Sequence, residues 1–290
     1  MLGIVTALRA KALAHDWDHH VWLLERALDS MLANTGKFQI VVVCHDIPAI
    51  KHAKHPAIHF LSITAPIPTR NNDDMCADKA IKLSAGTELA IGRGCRYIMF
   101  TDADDLVSNR ISEFVAAADH KPKGWYSCVE YHYTYGDFVM RARSVPTKTS
   151  GSCVIIRSDM IEIITPPFAD GIWLDMISKD KDYCAWLKSR GCKINDLAAV
   201  GHSDCLKLLA AKGHALEPLP FPVNLKIRHY DSTSHVPGGI GSIVPVEIDS
   251  RPRWRRAASL LKQECKAIPS LRFLTPALRR EFSVGTNGMW

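Results

Sequence analysis

Three carboxylates follow directly after a short apolar run in Tyr97-Ile-Met-Phe-Thr-Asp102-Ala-Asp104-Asp105. The apolar run is too short for a helix and is typical of a buried strand. In an open α/β sheet, ligands bind beyond the carboxyl ends of the strands, which is where these acids would lie. Burying so much negative charge without a cation is costly. The segment therefore predicts a bound metal ion.

Carboxylate oxygens suit Mg²⁺ or Mn²⁺, and such an ion completes its shell with water and the phosphates of a nucleotide. Asp102 and Asp104 are the predicted metal ligands, although one of them can instead hold a ribose hydroxyl. The competing structural interpretation is a solvated acidic turn that caps the next helix.

The elements that must position these acids alternate along the chain. Strands alternating with helices indicate a parallel, doubly wound sheet. After Asp105 the rhythm changes, and we expect two aromatic-rich strands to be antiparallel additions to the sheet. The predicted strands are 3–7, 38–44, 58–63, 97–101, 125–135 and 152–157, and the predicted helices are 17–32, 78–91, 110–118 and 180–189.

Asp102-Ala-Asp104-Asp105, at the end of an apolar strand, resembles the Asp-x-Asp-Asp motif of the GT-A glycosyltransferases. The likeness is greatest to the large inverting, family 2-like group that uses nucleotide-diphosphate sugars. It implies an α/β GT-A fold, a Rossmann-like doubly wound mixed sheet with a basic C-terminal helical tail. We divide it into a domain over 1–245, with a nucleotide-binding half (1–105) and an acceptor half (106–245), and a tail over 246–290.

The resemblance implies that Asp102 and the adjacent Ala103 contact the nucleotide and that Asp104 binds the metal bridging the diphosphate. The reaction would be an inverting displacement at the anomeric carbon, with a downstream carboxylate removing the acceptor proton. Asp180 and Asp182 are the candidate bases, and the spacing to Gly191 favours Asp180. Their alternative role is a helix N-terminal charge.

Other residues are assigned to the donor by the same resemblance. His229, in Arg228-His229, is a candidate ligand for the metal, with His235 behind it. Lys79 and Lys82 share one helix face, and either could reach the diphosphate or lie on a solvated face.

The ends of the first two predicted strands depart from the family pattern. The first lacks Pro-x-Tyr-Asn, and the second lacks Asp-Asp-Gly. Thr6, Ala7 and Leu8 are expected to offer backbone groups to the base, and Asp46 to serve the nucleoside.

Composition points to a globular, cytoplasmic protein. The nine cysteines are odd in number and form no Cys-x-x-Cys pair, so we interpret them as reduced structural thiols. The N-terminus lacks the pattern of a signal peptide, and no apolar run reaches the length of a spanning helix. Part of the net charge of +6 lies in Arg251 to Lys266, which is interpreted as a solvated helix face or as a peripheral contact with the inner membrane face.

The predicted partners are a nucleotide-sugar donor and a glycan, lipid-linked or protein acceptor. Nucleic acid is not expected, because only Trp254 lies within the basic run. The alternatives are a phosphatase of the haloacid-dehalogenase type, a non-catalytic nucleotide-sugar or membrane-binding module, and an inactive relative. The absence of an early glycine-rich loop disfavours sugar-nucleotide pyrophosphorylases, and the absence of a Gly-x-x-x-x-Gly-Lys-Ser/Thr loop disfavours nucleotide hydrolases.

Overall fold

The structure is a computed structural model that describes residues 1–70, 72–119, 121–134, 139–144, 151–164, 205–228 and 268–285. Several predictions concern residues outside these ranges. They are the helix over 180–189 with Asp180 and Asp182, the candidate ligands His229 and His235, and the basic segment 251–266.

The described elements follow one another in mixed order. The strands are β1 (Leu2–Ala7), β2 (Phe38–Cys44), β3 (Ile58–Ser62), β4 (Tyr97–Asp102), β5 (Asp105–Val107), β6 (Gly124–Tyr126), β7 (Val129–Thr134), β8 (Val139–Ser144), β9 (Val154–Arg157), β10 (Glu217–Pro218), β11 (Asn224–Arg228) and β12 (Leu271–Phe273). The helices are α1 (Trp17–Leu32), α2 (Asn72–Gly92), α3 (Ile111–Ala117), α4 (Ser158–Ile164), α5 (Cys205–Ala211) and α6 (Pro276–Glu281).

The first sheet has the strand order β10-β6-β9-β4-β1-β2-β3. The four strands predicted from apolar runs, β1 to β4, pair with one another in parallel. The near-continuous apolar sequences of β1, β2 and β4 follow from burial on both faces, as is usual in parallel sheets. β3 lies at the edge of the sheet and is mostly half-buried. β9 runs antiparallel to β4 and β6. The predicted α/β class with a mixed sheet is confirmed.

Helices cover both faces of this sheet, as a doubly wound architecture requires. α1 and α3 pack on one face, where Leu24, Leu28 and Met31 of α1 are completely buried. α2 and α4 pack on the other face. Asp16 caps α1, because its carboxylate accepts a hydrogen bond from the backbone N–H of His19 at 2.9 Å.

The second sheet has the order β12-β8-β7-β11-β5 and a small core of its own. Here the sequence prediction was wrong in one respect. The segment expected as one strand over 125–135 is divided, because β6 pairs with β9 in the first sheet whereas β7 pairs with β8 and β11 in the second. The turn between them is fixed by Ser127, whose N–H donates to the Cys153 carbonyl at 2.8 Å.

Part of the expected tail belongs to this second layer. β12 pairs with β8, and Phe282 is completely buried in the core of the second sheet. The Ser108 hydroxyl donates to Glu281 Oε1 at 2.7 Å. Residues 268–285 are therefore integrated into the fold rather than appended to it.

Within the described ranges, no helix is both long and apolar enough to cross a membrane. Cys44, Cys95, Cys128 and Cys153 are free thiols. Burial raises the pKa of Cys44 to about 11, which disfavours its reactive thiolate and agrees with a structural role.

Candidate active site

The acidic motif lies where the connections of the first sheet change direction. From β1 the chain passes to β2 and β3 on one side, and then crosses to β4 on the other side of β1. Ala7 and Asp102, the last residues of β1 and β4, are paired in register. A crevice forms at such a switch point, beyond the carboxyl ends of the strands.

Asp102, Asp104 and Asp105 each present an oxygen within 4.8 Å of the others. Asp102 and Asp104 are half-buried, whereas Asp105 is buried. Ser152 connects two members of this acid cluster. Its hydroxyl donates to Asp105 Oδ2 at 2.5 Å and accepts from the backbone N–H of Asp102 at 3.1 Å.

Two lysines supply positive charge to the acid cluster. Lys79 donates to Asp102 Oδ1, and Lys226 Nζ lies 3.7 Å from Asp102 Oδ2 and 3.9 Å from Asp105 Oδ2. Burial disfavours both ammonium groups, but the neighbouring carboxylates outweigh it and raise the pKa of Lys79 and of Lys226. Burial, assisted by Asp102 and Asp104 and opposed by Lys226, raises the pKa of Asp105 to about 7.

A cleft of about 220 Å³ opens beside the acid cluster. Its floor is formed by the ends of β1 and β4, and one wall is formed by α2. Arg9 and His20 lie on the side of α1, with Arg9 Nη1 3.5 Å from His20 Nε2. The lining residues include Ala7, Leu8, Arg9, His20, Pro68, Asp78, Lys79, Lys82, Asp102, Ala103 and Asp104.

A buried polar network supports the wall formed by α2. Lys82 is fully buried and donates to Asp78 Oδ2 at 2.6 Å and to the Leu8 carbonyl at 2.9 Å. The other oxygen of Asp78 lies 2.9 Å from His45 Nε2. This network joins α2 to the chain segments that follow β1 and β2, and it fixes the backbone at the mouth of the cleft.

The acid cluster fits a divalent cation by its donor chemistry, since it offers three close carboxylate oxygens of the kind that Mg²⁺ and Mn²⁺ prefer. Asp102 and Asp104 line the cleft, whereas Asp105 is buried and is not among the described lining residues. Asp102 and Asp105 are also paired with lysines, so part of the negative charge is already compensated within the chain.

Most of the described residues assigned to the donor line this one cleft. Ala7, Leu8, Lys79, Lys82, Ala103 and the two metal candidates Asp102 and Asp104 all do so. The solvated-face alternative is wrong for Lys82, because its side chain is buried. Direct contact of Lys82 with a diphosphate is disfavoured, because its ammonium is already held by Asp78 and the Leu8 carbonyl.

Two assignments find less support. Thr6 is buried and is not among the described residues that line the cleft. Its hydroxyl has no hydrogen-bond partner within the described part of the chain. Asp46 is exposed and accepts a hydrogen bond from the Lys11 N–H at 3.2 Å. It too is absent from the described lining, so the nucleoside role of Asp46 rests on sequence alone.

Sequence reasoning missed several groups that the fold brings to the acid cluster. The cost of burying three carboxylates signals a compensating cation, but nothing in the sequence singles out Lys226 on β11. Ser152 is 47 residues from its partner Asp105 and gives no sequence signal. Asp78 was visible only as the first residue of a predicted helix.

No protein-family model and no curated protein matches the chain. Among solved structures, it is similar to S. aureus TarS 1-349 in complex with UDP-GlcNAc, with 10% identity and a TM-score of 0.47. That match covers 81% of this chain and 61% of the TarS chain. It is also similar to the mannosyltransferase PcManGT from Pyrobaculum calidifontis in complex with GDP-Man and Mn²⁺. The identity is 14% and the TM-score 0.43, over 98% of this chain and 69% of that one.

Proposed function

We propose that this chain is a glycosyltransferase of the GT-A type, which moves a sugar from a nucleotide-diphosphate donor to an acceptor hydroxyl with Mn²⁺ or Mg²⁺. The observation that carries the proposal is the acid cluster at the switch point of a doubly wound sheet. Two of its carboxylates open into a cleft that also holds Lys79. A diphosphate needs this combination of a cation site and an adjacent positive side chain.

Several groups of the cleft would have a role in this reaction. Asp102 and Asp104 would hold the metal, which when bound stabilises negative charge on the departing diphosphate. Lys79, at the edge of the acid cluster, would contact the same phosphates. Ala103 and the backbone at Ala7 and Leu8 form the floor against which ribose and base would lie.

The proton acceptor comes from the sequence resemblance. Asp180, or Asp182 two residues later, would remove the proton of the acceptor hydroxyl, and His229 would complete the metal shell. With a carboxylate base opposite the leaving diphosphate, the reaction would invert the anomeric centre.

The first experiment is a thermal-shift screen of the full chain against UDP, GDP, CDP and dTDP, with and without Mn²⁺. UDP and GDP head the panel because the similar structures hold UDP-GlcNAc and GDP-Man. We expect one nucleotide to raise the melting temperature only when Mn²⁺ is present, since a ligand that binds only the native state increases apparent stability. Asp104→Asn should lose the shift.

Asp18→Asn is the matched control, because Asp18 is an exposed carboxylate in the first turn of α1 and should leave the nucleotide shift intact. A folded protein that responds to no nucleotide would contradict the proposal. A covalent phosphate trapped on Asp102 would favour the phosphatase alternative instead.

The base is tested once a donor is known. Asp180→Asn or Asp182→Asn should lower kcat by about 10² to 10⁴-fold, the usual contribution of a general base, while the nucleotide-induced thermal shift stays. Full activity in both variants would exclude them as the base.

Peripheral membrane contact is a separate part of the proposal. We assign it to the basic side chains between Arg251 and Lys266, which would bind anionic lipid. Charge reversal at Arg253, Arg255 and Arg256 is a better test than truncation, because residues 268–285 belong to the core. We expect the charge-reversal variant to sediment less than the wild type with phosphatidylserine vesicles. Equal sedimentation of the variant and the wild type would contradict this assignment.

A further inference from the structure

Lys226 lies opposite the acid cluster in the second sheet. On β11 it is paired in register with Asp105 of β5 and with His132 of β7. Its ammonium lies within 4 Å of Asp102 Oδ2 and of Asp105 Oδ2 at once. The nitrogen therefore occupies the gap between two carboxylates of the acid cluster.

This lysine is largely buried, and the carboxylates around its ammonium outweigh the cost of that burial. Its side chain is only 19% exposed, and that of Asp105 is 4% exposed. Glu130, a further buried carboxylate, adds to the negative surroundings of the ammonium. An ammonium in such a place has exchanged its hydration for these carboxylates, and the carboxylates depend on it in turn.

A divalent cation would need the same space. Carboxylate ligands lie about 2 Å from such an ion. An ion bound by Asp102 together with Asp104 or Asp105 would therefore lie close to the position of Lys226 Nζ, which is within 4 Å of Asp102 Oδ2 and Asp105 Oδ2. An ammonium and a divalent cation beside the same carboxylate oxygens repel each other.

We propose that Lys226 is the resident counter-ion of the acid cluster, and that a divalent cation binds by displacing its ammonium from Asp102 and Asp105. The inference rests on the proposed function, in that it takes the acid cluster as the metal site. Lys226 is thus a positioning residue that sets metal affinity: it keeps the cluster intact without metal and weakens metal binding by competition.

The direct test is Mn²⁺ binding without nucleotide, followed by the electron paramagnetic resonance signal of free Mn²⁺. Lys226→Met removes the competing charge and should lower the Kd for Mn²⁺ by about tenfold or more, equivalent to about 1.4 kcal/mol. Lys226→Arg keeps the charge and should bind Mn²⁺ like the wild type. Unchanged or weaker binding by Lys226→Met would overturn the proposal.

Lys121→Met is the matched control. Lys121 also forms an ion pair with an N–O distance of 3.7 Å, to Asp119, but its side chain is 83% exposed. Lys121→Met should leave the Kd for Mn²⁺ unchanged. An equal gain in Mn²⁺ affinity in Lys121→Met and Lys226→Met would show a non-specific effect of net charge and overturn the proposal.

A second measurement uses the wild-type protein and needs no variant to fold. Lysines are acetylated with a water-soluble reagent, with and without saturating Mn²⁺, and the modified residues are quantified by mass spectrometry. Displacement should make Lys226 react faster when Mn²⁺ is present, whereas Lys121 should not change. A rate for Lys226 that stays constant or falls would contradict displacement.

Failure here is distinguishable from failure of the proposed function. If Mn²⁺ supports a nucleotide-induced thermal shift but Lys226→Met does not tighten Mn²⁺ binding, the metal-dependent transferase stands and the counter-ion role is wrong. If Lys226→Met gains Mn²⁺ affinity while no nucleotide binds, the counter-ion role stands and the transferase proposal is wrong.

Discussion

At the scale of single residues, two lysines on one helix have different environments. Lys79 and Lys82 are three positions apart on α2 and both line the cleft. Lys79 is paired with Asp102 at the edge of the acid cluster and remains partly exposed. Lys82 is sealed against Asp78 and the Leu8 carbonyl, where burial lowers its pKa and Asp78 opposes this effect. Lys79 is therefore the proposed substrate contact, whereas Lys82 holds the backbone at Leu8.

This difference leads to a stability prediction. Lys82→Met leaves the buried Asp78 without its ammonium partner, so we expect the free energy of unfolding to fall by about 3 to 5 kcal/mol. Urea denaturation followed by tryptophan fluorescence measures the loss. Lys51→Met is the control, because Lys51 pairs with Asp29 at 3.0 Å but is 47% exposed and should cost at most about 1 kcal/mol. Equal losses would mean that the buried ion pair has no special importance.

At the scale of elements, the cleft depends on how closely α2 approaches the parallel strands. Gly86 allows this contact, since a Cβ atom at this position would lie 2.5 Å from Val5 Cγ1 and 2.8 Å from Val43 Cγ2. Both valines are buried side chains of β1 and β2. Because Lys79, Asp78 and Lys82 are on the same helix, the packing at Gly86 also sets the position of one cleft wall.

We therefore expect Gly86→Ala to destabilise the protein by about 1 to 3 kcal/mol through overpacking, despite the better helix propensity of alanine. Differential scanning calorimetry should show a lower Tm. In Gly92→Ala the new methyl group meets nothing within 4 Å, so its Tm should be equal or higher. A Gly86→Ala variant as stable as the wild type would mean that the helix can shift outward freely.

At the scale of the whole molecule, the C-terminal residues close the second sheet. β12 extends this sheet beside β8, and α6 follows with Thr275 as its N-cap, whose side chain accepts from the Leu278 N–H. The backbone carbonyl of Glu281 accepts from the N–H of Asn109, which follows the acid cluster by only a few residues. The segment that follows the acid cluster and the last described helix thus meet beside the second sheet.

Two phenylalanines test this closure. Phe282→Ala removes a completely buried ring and should cost about 3 to 5 kcal/mol of unfolding free energy. Phe273→Ala removes a ring that is 72% exposed and should change stability by no more than about 0.5 kcal/mol. Chemical denaturation of both variants gives the comparison, and similar values would mean that the C-terminal segment is not part of the cooperative fold.

The sequence by itself determined the parallel half of the fold and the location of the acids. The apolar runs that became β1 to β4 are too short for helices, and Asp102 is the last residue of β4. Local pattern is sufficient to predict these features. Alternating strands and helices indicate a parallel sheet, and ligands of such sheets bind at the carboxyl ends of the strands.

Only the tertiary structure decided which distant groups complete the site. Lys226 and Ser152 reach the acid cluster through strand register and a turn, which depend on long-range pairing rather than local pattern. The same holds for the division of residues 125–135 between two sheets and for the burial of Lys82. In each case a side chain of ordinary type acquires its role from its neighbours, because burial and charge pairing are properties of packed surroundings.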